Sequence, residues 1–241
     1  MQKGTMTMII RNAGHINIID NIADGLGMRN AKFLLHELSS EFTKKSRSFF
    51  DYTNDLPYIY REKQLHSIII PILSNIADVV LTELPTNRKS EHNKNETFGW
   101  VDYWVKLGNT IFLIELKHSY FGFKSQQLRK SSLNKWSTAI EQINNIIDPH
   151  DFKINNKDNV VKIALNVITT FTSTNIKSNS IEECQEINEK IISSIQNKLK
   201  PNFTANWTVH KDMLLPYEYL NGTEYYPYVH IIAKVENVEN S

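Results

Sequence analysis

Apolar residues recur along the chain at two spacings, and the switches between them lay out the elements. Ala31, Leu34, Leu38 and Phe42 follow a helical repeat over residues 30–50. Residues 60–76 give a second helix, with Leu65, Ile69, Ile72 and Ile76 as its stripe. Pro71 inside it should kink it or cost a hydrogen bond. Leu133, Trp136, Ile140, Ile143 and Ile147 mark a third helix over 130–148, and a fourth runs over 181–199, ending before Pro201. Strand-like runs occupy 79–85, 100–107, 110–119 and 160–171, with two more in the tail at 206–213 and 226–235 and a turn at Asn221-Gly222. Residues 86–98 read as a polar loop, and the first 25 or so show little beyond a short apolar piece at 8–10. The central order is α-β-β-β-α-β, followed by a helix and more strands. With no repeat and no Gly/Ser-rich linker, the expectation is one α/β domain over 1–241. Its core would cover 58–172, with a helical N-terminal extension over 1–57 and an α/β C-terminal extension over 173–241.

One strand breaks its own pattern. Ile111-Phe112-Leu113-Ile114 is continuous apolar sequence, and then Glu115 and Lys117 arrive with only Leu116 between them. Alternation puts these two charges on one face, roughly 6–7 Å apart. Gly108-Asn109 separates this strand from the one before it, a tight-hairpin signal. A two-residue turn pairs Leu107 with Thr110, so paired numbers sum to 217 and Asp102 falls opposite Glu115. The same counting places Val101, Tyr103 and Val105 on one face and Trp100, Asp102 and Trp104 on the other. Opposed carboxylates repel. A divalent cation between them removes the penalty, and hard oxygen ligands suit Mg²⁺ or Mn²⁺. A solvated ion pair of Lys117 with Glu115 or Asp102 satisfies the same spacing. Glu62 lies in line with the second helix's apolar stripe, which is unusual for a carboxylate. It also stands at the helix start, where the dipole favours it.

Totals narrow the classes. The 241 residues carry a net charge of +1, with 41% hydrophobic and 22% charged residues. No global basic field points to nucleic acid, so such binding needs a local patch. Cys184 is the single cysteine, which excludes an internal disulfide or a cysteine zinc site. No apolar run is long enough to span a membrane, and a cytoplasmic protein is expected.

The stretch GWVDYWVKLGNTIFLIELKHS, inside that element order, resembles the signature of the PD-(D/E)xK nuclease superfamily, the restriction-endonuclease-like fold. Asp102 matches its Asp, Glu115 its Glu and Lys117 its Lys, and Val101 stands where the eponymous Pro would be. Glu62 matches the acidic residue many members carry on the first core helix, and Gln142 the Gln some carry on the helix after the Lys. The resemblance covers roughly residues 60–171. It implies an αβββαβ core with a central mixed sheet flanked by helices, and Mg²⁺-dependent phosphodiester hydrolysis, with DNA as the first substrate. Asp102, Glu115 and the Leu116 carbonyl would hold the metal, with Glu62 joining through water or a second ion, while Lys117 would activate the attacking water. Members often work as dimers, in restriction, repair or antiphage defence. A catalytically inactive nucleic-acid-binding or regulatory module on the same fold is the alternative. A kinase-like reading of the strand lysine fails for want of a Gly-rich loop, a P-loop or a catalytic-loop motif.

From His118 to Ile140 there is no Asp or Glu, while Lys124, Arg129, Lys130 and Lys135 fall in the same stretch. That basic segment directly follows the proposed catalytic strand and could track a phosphate backbone, as could a merely solvated loop. Tyr120, Phe121 and Phe123 interleave aromatics there, and Arg88, Lys89 and Lys94 in the polar loop could add charge. Trp136 reads as core rather than as a base-stacking platform.

Overall fold

The two periodicities become ten strands and four helices in a computed structural model that describes residues 4–89, 96–124, 127–175 and 181–238. In chain order they are β1 (Gly4–Ile10), β2 (Gly14–Asp20), α1 (Met28–Thr53), α2 (Glu62–Ile76), β3 (Val79–Lys89), β4 (Glu96–Leu107), β5 (Thr110–Gly122) and β6 (Gln127–Leu128). Then follow α3 (Lys130–Asn144), β7 (Asn159–Thr172), α4 (Ile181–Leu199), β8 (Phe203–Val209), β9 (Tyr217–Tyr219) and β10 (Gly222–Asn237).

One sheet runs β1-β2-β8-β10-β7-β5-β4-β3, with β6 added to β5 and β9 to β10. Every pairing is antiparallel except β5 with β7, whose parallel register needs the α3 crossover. The class is therefore α/β, a mixed and largely antiparallel sheet with helices on both faces. Leu34 and Leu38 of α1 and Leu65 and Ile69 of α2 pack on Phe112, Ile114, Leu116 and Val161. On the opposite face Trp136 and Ala139 of α3 and Ile191 and Ile195 of α4 pack on Ile111, Leu113 and Ala164. β5 and β7 at the centre are buried on both faces, which is why they read as continuous apolar runs. Trp136 is core, and its indole N–H donates to the Leu199 carbonyl, tying α3 to the end of α4.

Three sequence expectations change. The N-terminal extension is not helical throughout: β1 and β2 form a hairpin that joins the sheet beside β8. The period-two signal is present in Thr5-Met6-Thr7-Met8 and His15-Ile16-Asn17-Ile18, but each run is short and reaches the sheet only through β8. The strand read as 79–85 continues to Lys89, and β4 starts at Glu96, so most of the polar loop is a long hairpin arm. Its residues read as loop because no helix buries both faces there. The α3 helix stops at Asn144 rather than 148, and Ile147 donates its N–H to the Asn87 carbonyl instead.

Candidate active site

The hairpin register is the one that the Gly108-Asn109 turn dictates. Leu107 pairs with Thr110 and the ladder proceeds to Tyr103–Ile114, always summing to 217. Gly108 takes φ +56°, a left-handed conformation that the turn requires and glycine adopts at no steric cost. The ladder then stops. Beyond Ile114, β4 continues only against β3, while β5 regains a partner on that side at Phe121, opposite Leu128 of β6. A window over residues 115–120 is left between β4 and β6.

The split has a backbone cause. Glu83, flanked by the pairs Thr82–Tyr103 and Leu84–Val101, holds φ +52°, which costs a non-glycine residue roughly 1–2 kcal/mol. Across this point both strands exchange faces. Tyr103 and Val105 pack with the α1–α2 cluster, whereas Val101 packs with the α3–α4 cluster. Simple alternation from the turn therefore misplaces Val101. Strain of this kind collects at functional sites.

Side chains take over the polar backbone of the window. The Asp102 carboxylate accepts the Leu116 N–H at 2.7 Å. Glu62, the first residue of α2, accepts the His118 N–H at 3.0 Å. Lys117 Nζ donates to the Leu116 carbonyl at 3.0 Å and to Glu115 Oε1 at 2.9 Å. Lys135 of α3 donates to the His118 carbonyl at 2.7 Å. The structure thus gathers Glu62, Asp102, Glu115, Lys117 and the Leu116 carbonyl, all expected from sequence, along four successive residues of one strand, Glu115 to His118.

Arg88 is the residue of this cluster that sequence reading did not place there. In sequence it reads only as a polar-loop charge that could face a phosphate backbone, but its guanidinium is buried and bonds Glu115 Oε2 at 3.0 Å and the Trp100 carbonyl. Gly99 makes the room: a Cβ there would lie 3.3 Å from Arg88 Nε. The parity of Leu84, Thr86 and Arg88, all turned inward once β3 is extended, was the available signal. Glu115 is only 2% exposed, so each of its oxygens faces a cation in place of water. Burial, with Asp102 nearby, still pushes its carboxyl above the usual range, against the pull of Lys117 and Arg88. Burial also pushes the Tyr103 hydroxyl up, with Asp102 and Glu62 adding to it, and that hydroxyl bonds His66 Nδ1 at 2.6 Å. His118 points away from Lys117, as alternation requires, and bonds Thr169. Burial, aided by Lys135, lowers its pKa to about 4.

The proposed substrate residues divide. Lys135 reaches the window, and Lys124 and Lys130 are exposed. Arg129 lies 4.7 Å over the Phe171 ring. Ser132 bonds the Tyr120 carbonyl as Lys135 bonds that of His118, so α3 runs back along β5 and carries Gln142 toward the level of Glu115. Gln142 Oε1 is enclosed without a hydrogen-bond partner. The interleaved aromatics are structural: Phe121 is core, Phe123 packs against it, and the Tyr120 hydroxyl bonds the Ile59 and Tyr60 carbonyls. Lys94 lies outside the described residues.

Among the described residues no three His, Cys, Asp or Glu side chains stand ready to grip a metal together. The donors are nonetheless of the right chemistry for Mg²⁺ or Mn²⁺: two carboxylates close enough to raise the proton affinity of one of them, and a backbone carbonyl. Lys117 Nζ bridges Glu115 Oε1 and the Leu116 carbonyl and so serves as their cation. A metal on these oxygens requires that ammonium to swing aside. No helix among the described residues is long and apolar enough to cross a membrane. The chain matches no protein-family model, no curated protein and no solved structure.

Proposed function

We propose that this chain is a metal-dependent nuclease that hydrolyses phosphodiester bonds in nucleic acid, with DNA as the first substrate to try. The observation that carries the reading is the β4–β5 split. It brings Glu62, Asp102, Glu115, Lys117 and an otherwise unpaired carbonyl to one opening in the sheet. A sheet built only for stability would continue the ladder and keep a buried carboxylate out of its centre. The element order α2-β3-β4-β5-α3-β7 in a mixed sheet agrees with the αβββαβ order the PD-(D/E)xK resemblance implies, and it supports the same reading.

Asp102, Glu115 and the Leu116 carbonyl would hold Mg²⁺ or Mn²⁺, with Glu62 next to them. When bound, the metal polarises the phosphate and lowers the pKa of its water. Lys117, released from Glu115, holds the attacking water and counters charge on the phosphate. Arg88 stays on Glu115 Oε2 and keeps that carboxylate ionised and oriented. Lys135, at the rim, attracts the backbone phosphates. A role in restriction, repair or defence is an analogy at the level of the family.

The test is cleavage of single- and double-stranded DNA and RNA by purified protein with Mg²⁺ or Mn²⁺, with chelator as control. Lys117→Ala and Asp102→Asn should each lose at least about 100-fold while keeping their circular dichroism. Lys117→Ala takes a cation from buried Glu115 and should melt lower, so it is assayed well below its transition. Equal cleavage by wild type and Lys117→Ala would remove the site assignment. One observation favours a second reading: both Glu115 oxygens are already held by cations. An inactive nucleic-acid-binding module would bind and never cut.

A further inference from the structure

The outer half of the β3–β4 arm has one packed face and one bare face. Leu84, Thr86, Arg88, Gly99 and Val101 turn inward, whereas Pro85, Asn87, Phe98 and Trp100 are exposed. Phe98 is 68% and Trp100 52% exposed, although a sheet elsewhere in this protein buries such rings. They contact each other edge to face, with centroids 5.2 Å apart and planes at 85°, which leaves broad ring faces turned to solvent.

The pair borders the split described above on the sheet face opposite Glu115. Val101 and Arg88 turn to the α3–α4 side with Glu115, so the Phe98 and Trp100 rings turn to the other side, the one that α2 packs on. Trp100 is two residues before Asp102, about 6–7 Å along the strand. Its carbonyl accepts from the same Arg88 nitrogen that holds Glu115 Oε2. Exposed cations lie at the other side of the window, with Arg61 and Lys63 flanking Glu62 at the start of α2. Aromatic faces beside a cation-rimmed opening form the usual combination for gripping an unpaired strand.

We infer that Phe98 and Trp100 form a stacking platform for unpaired bases next to the scissile phosphate, so that the substrate is single-stranded, frayed or flapped nucleic acid rather than intact duplex. A duplex keeps its base faces inside its own stack and offers these rings nothing to stack on. A second copy of this chain fits the patch poorly. The exposed parts of the two rings supply on the order of 250 Å², against about 800 Å² per partner in a stable interface. The inference rests on the nuclease reading for the word substrate, but its test does not.

Fluorescence anisotropy with a labelled 20-nucleotide single strand and the matching blunt duplex, in chelator, measures binding without cleavage. Wild type should bind the single strand more tightly than the duplex. Trp100→Ala should weaken single-strand binding by about 5- to 150-fold and leave duplex binding unchanged, while Trp100→Phe should keep most of the affinity. Both side chains are exposed, so the variants should melt as wild type does. Equal single-strand affinity of wild type and Trp100→Ala would overturn the inference, as would failure of wild type to bind a single strand. A wild-type dimer that Trp100→Ala turns into monomer in sedimentation would instead make the patch a self-association surface. Trp100-dependent single-strand binding without any cleavage would keep the platform and remove the nuclease. Cleavage of both duplex and single strand at rates indifferent to Trp100→Ala would do the reverse.

Discussion

Arg88→Met removes one of the two cations from a carboxylate that has almost no water. Glu115 is 2% exposed and holds Arg88 at 3.0 Å and Lys117 at 2.9 Å. The lost charge-assisted hydrogen bond alone is worth about 1.5–3 kcal/mol. Breaking a buried pair from one side costs about 3–5 kcal/mol, because the remaining charge stays buried. Lys117 still neutralises half of the demand, which places the expectation at about 3 kcal/mol. For a chain of this length that lowers the melting temperature by roughly 6–12 °C. The loss should also depend on pH. Arg88 is one of the groups pulling the Glu115 carboxyl down, so its removal raises further a pKa already above the usual range. A carboxyl whose pKa is higher folded than unfolded binds its proton first in the folded state. Stability therefore falls as pH rises through that window and recovers as pH drops. Urea unfolding of wild type and variant at pH 7.5 and pH 5 measures both effects. A difference below about 1 kcal/mol at pH 7.5, or one equally large at pH 5, would refute the assignment of Arg88 as counter-ion of Glu115. Arg88→Met/Glu115→Gln should recover much of the loss, since the two changes share one interaction.

His230 is fully buried between Asn206 and Thr170, and burial lowers its pKa to about 3. A histidine with a lowered folded pKa stabilises above its unfolded value of about 6.5 and loses that contribution as pH falls toward the folded one. His230→Gln should therefore show a flatter acid-unfolding profile between pH 6.5 and 4 than wild type, and a profile of unchanged slope would contradict the burial argument. Trp136→Ala should cost about 3–5 kcal/mol by chemical denaturation, since it deletes a buried indole and its bond to Leu199. Glu83→Gly should raise stability by up to about 1 kcal/mol by relieving the left-handed residue, whereas Glu83→Val should lower it. Equal melting of the two variants would show that Glu83 stores no strain.

What could be read from the sequence follows from how local its determinants are. The Gly108-Asn109 turn sets the β4–β5 register from Leu107–Thr110 to Tyr103–Ile114 by counting, which is enough to bring Asp102 near Glu115. The expected Asp102–Glu115 pair itself does not form, because the ladder ends one step earlier and Asp102 takes the Leu116 N–H. α4 was legible end to end, because its apolar spacing and the following Pro201 both act within one turn. The face exchange at Asp102 was not. It depends on a left-handed Glu83 in the neighbouring strand, and no local propensity encodes that. Arg88 was hidden for a related reason: a strand with one bare face looks like polar loop, and its single buried cation looks like one more surface charge. The β1–β2 hairpin was hidden because its identity comes from pairing with β8, some 190 residues later.

The central claim is that the β4–β5 split holds a catalytic divalent cation. The most direct measurement is a crystal structure of the protein soaked in Mn²⁺, with the anomalous signal locating the ion. The expected result is a peak touching Asp102, Glu115 and the Leu116 carbonyl, with Lys117 displaced from Glu115 Oε1 and Arg88 still on Oε2. No peak at the split at millimolar Mn²⁺, with Lys117 still bridging Glu115 and Leu116, would contradict it.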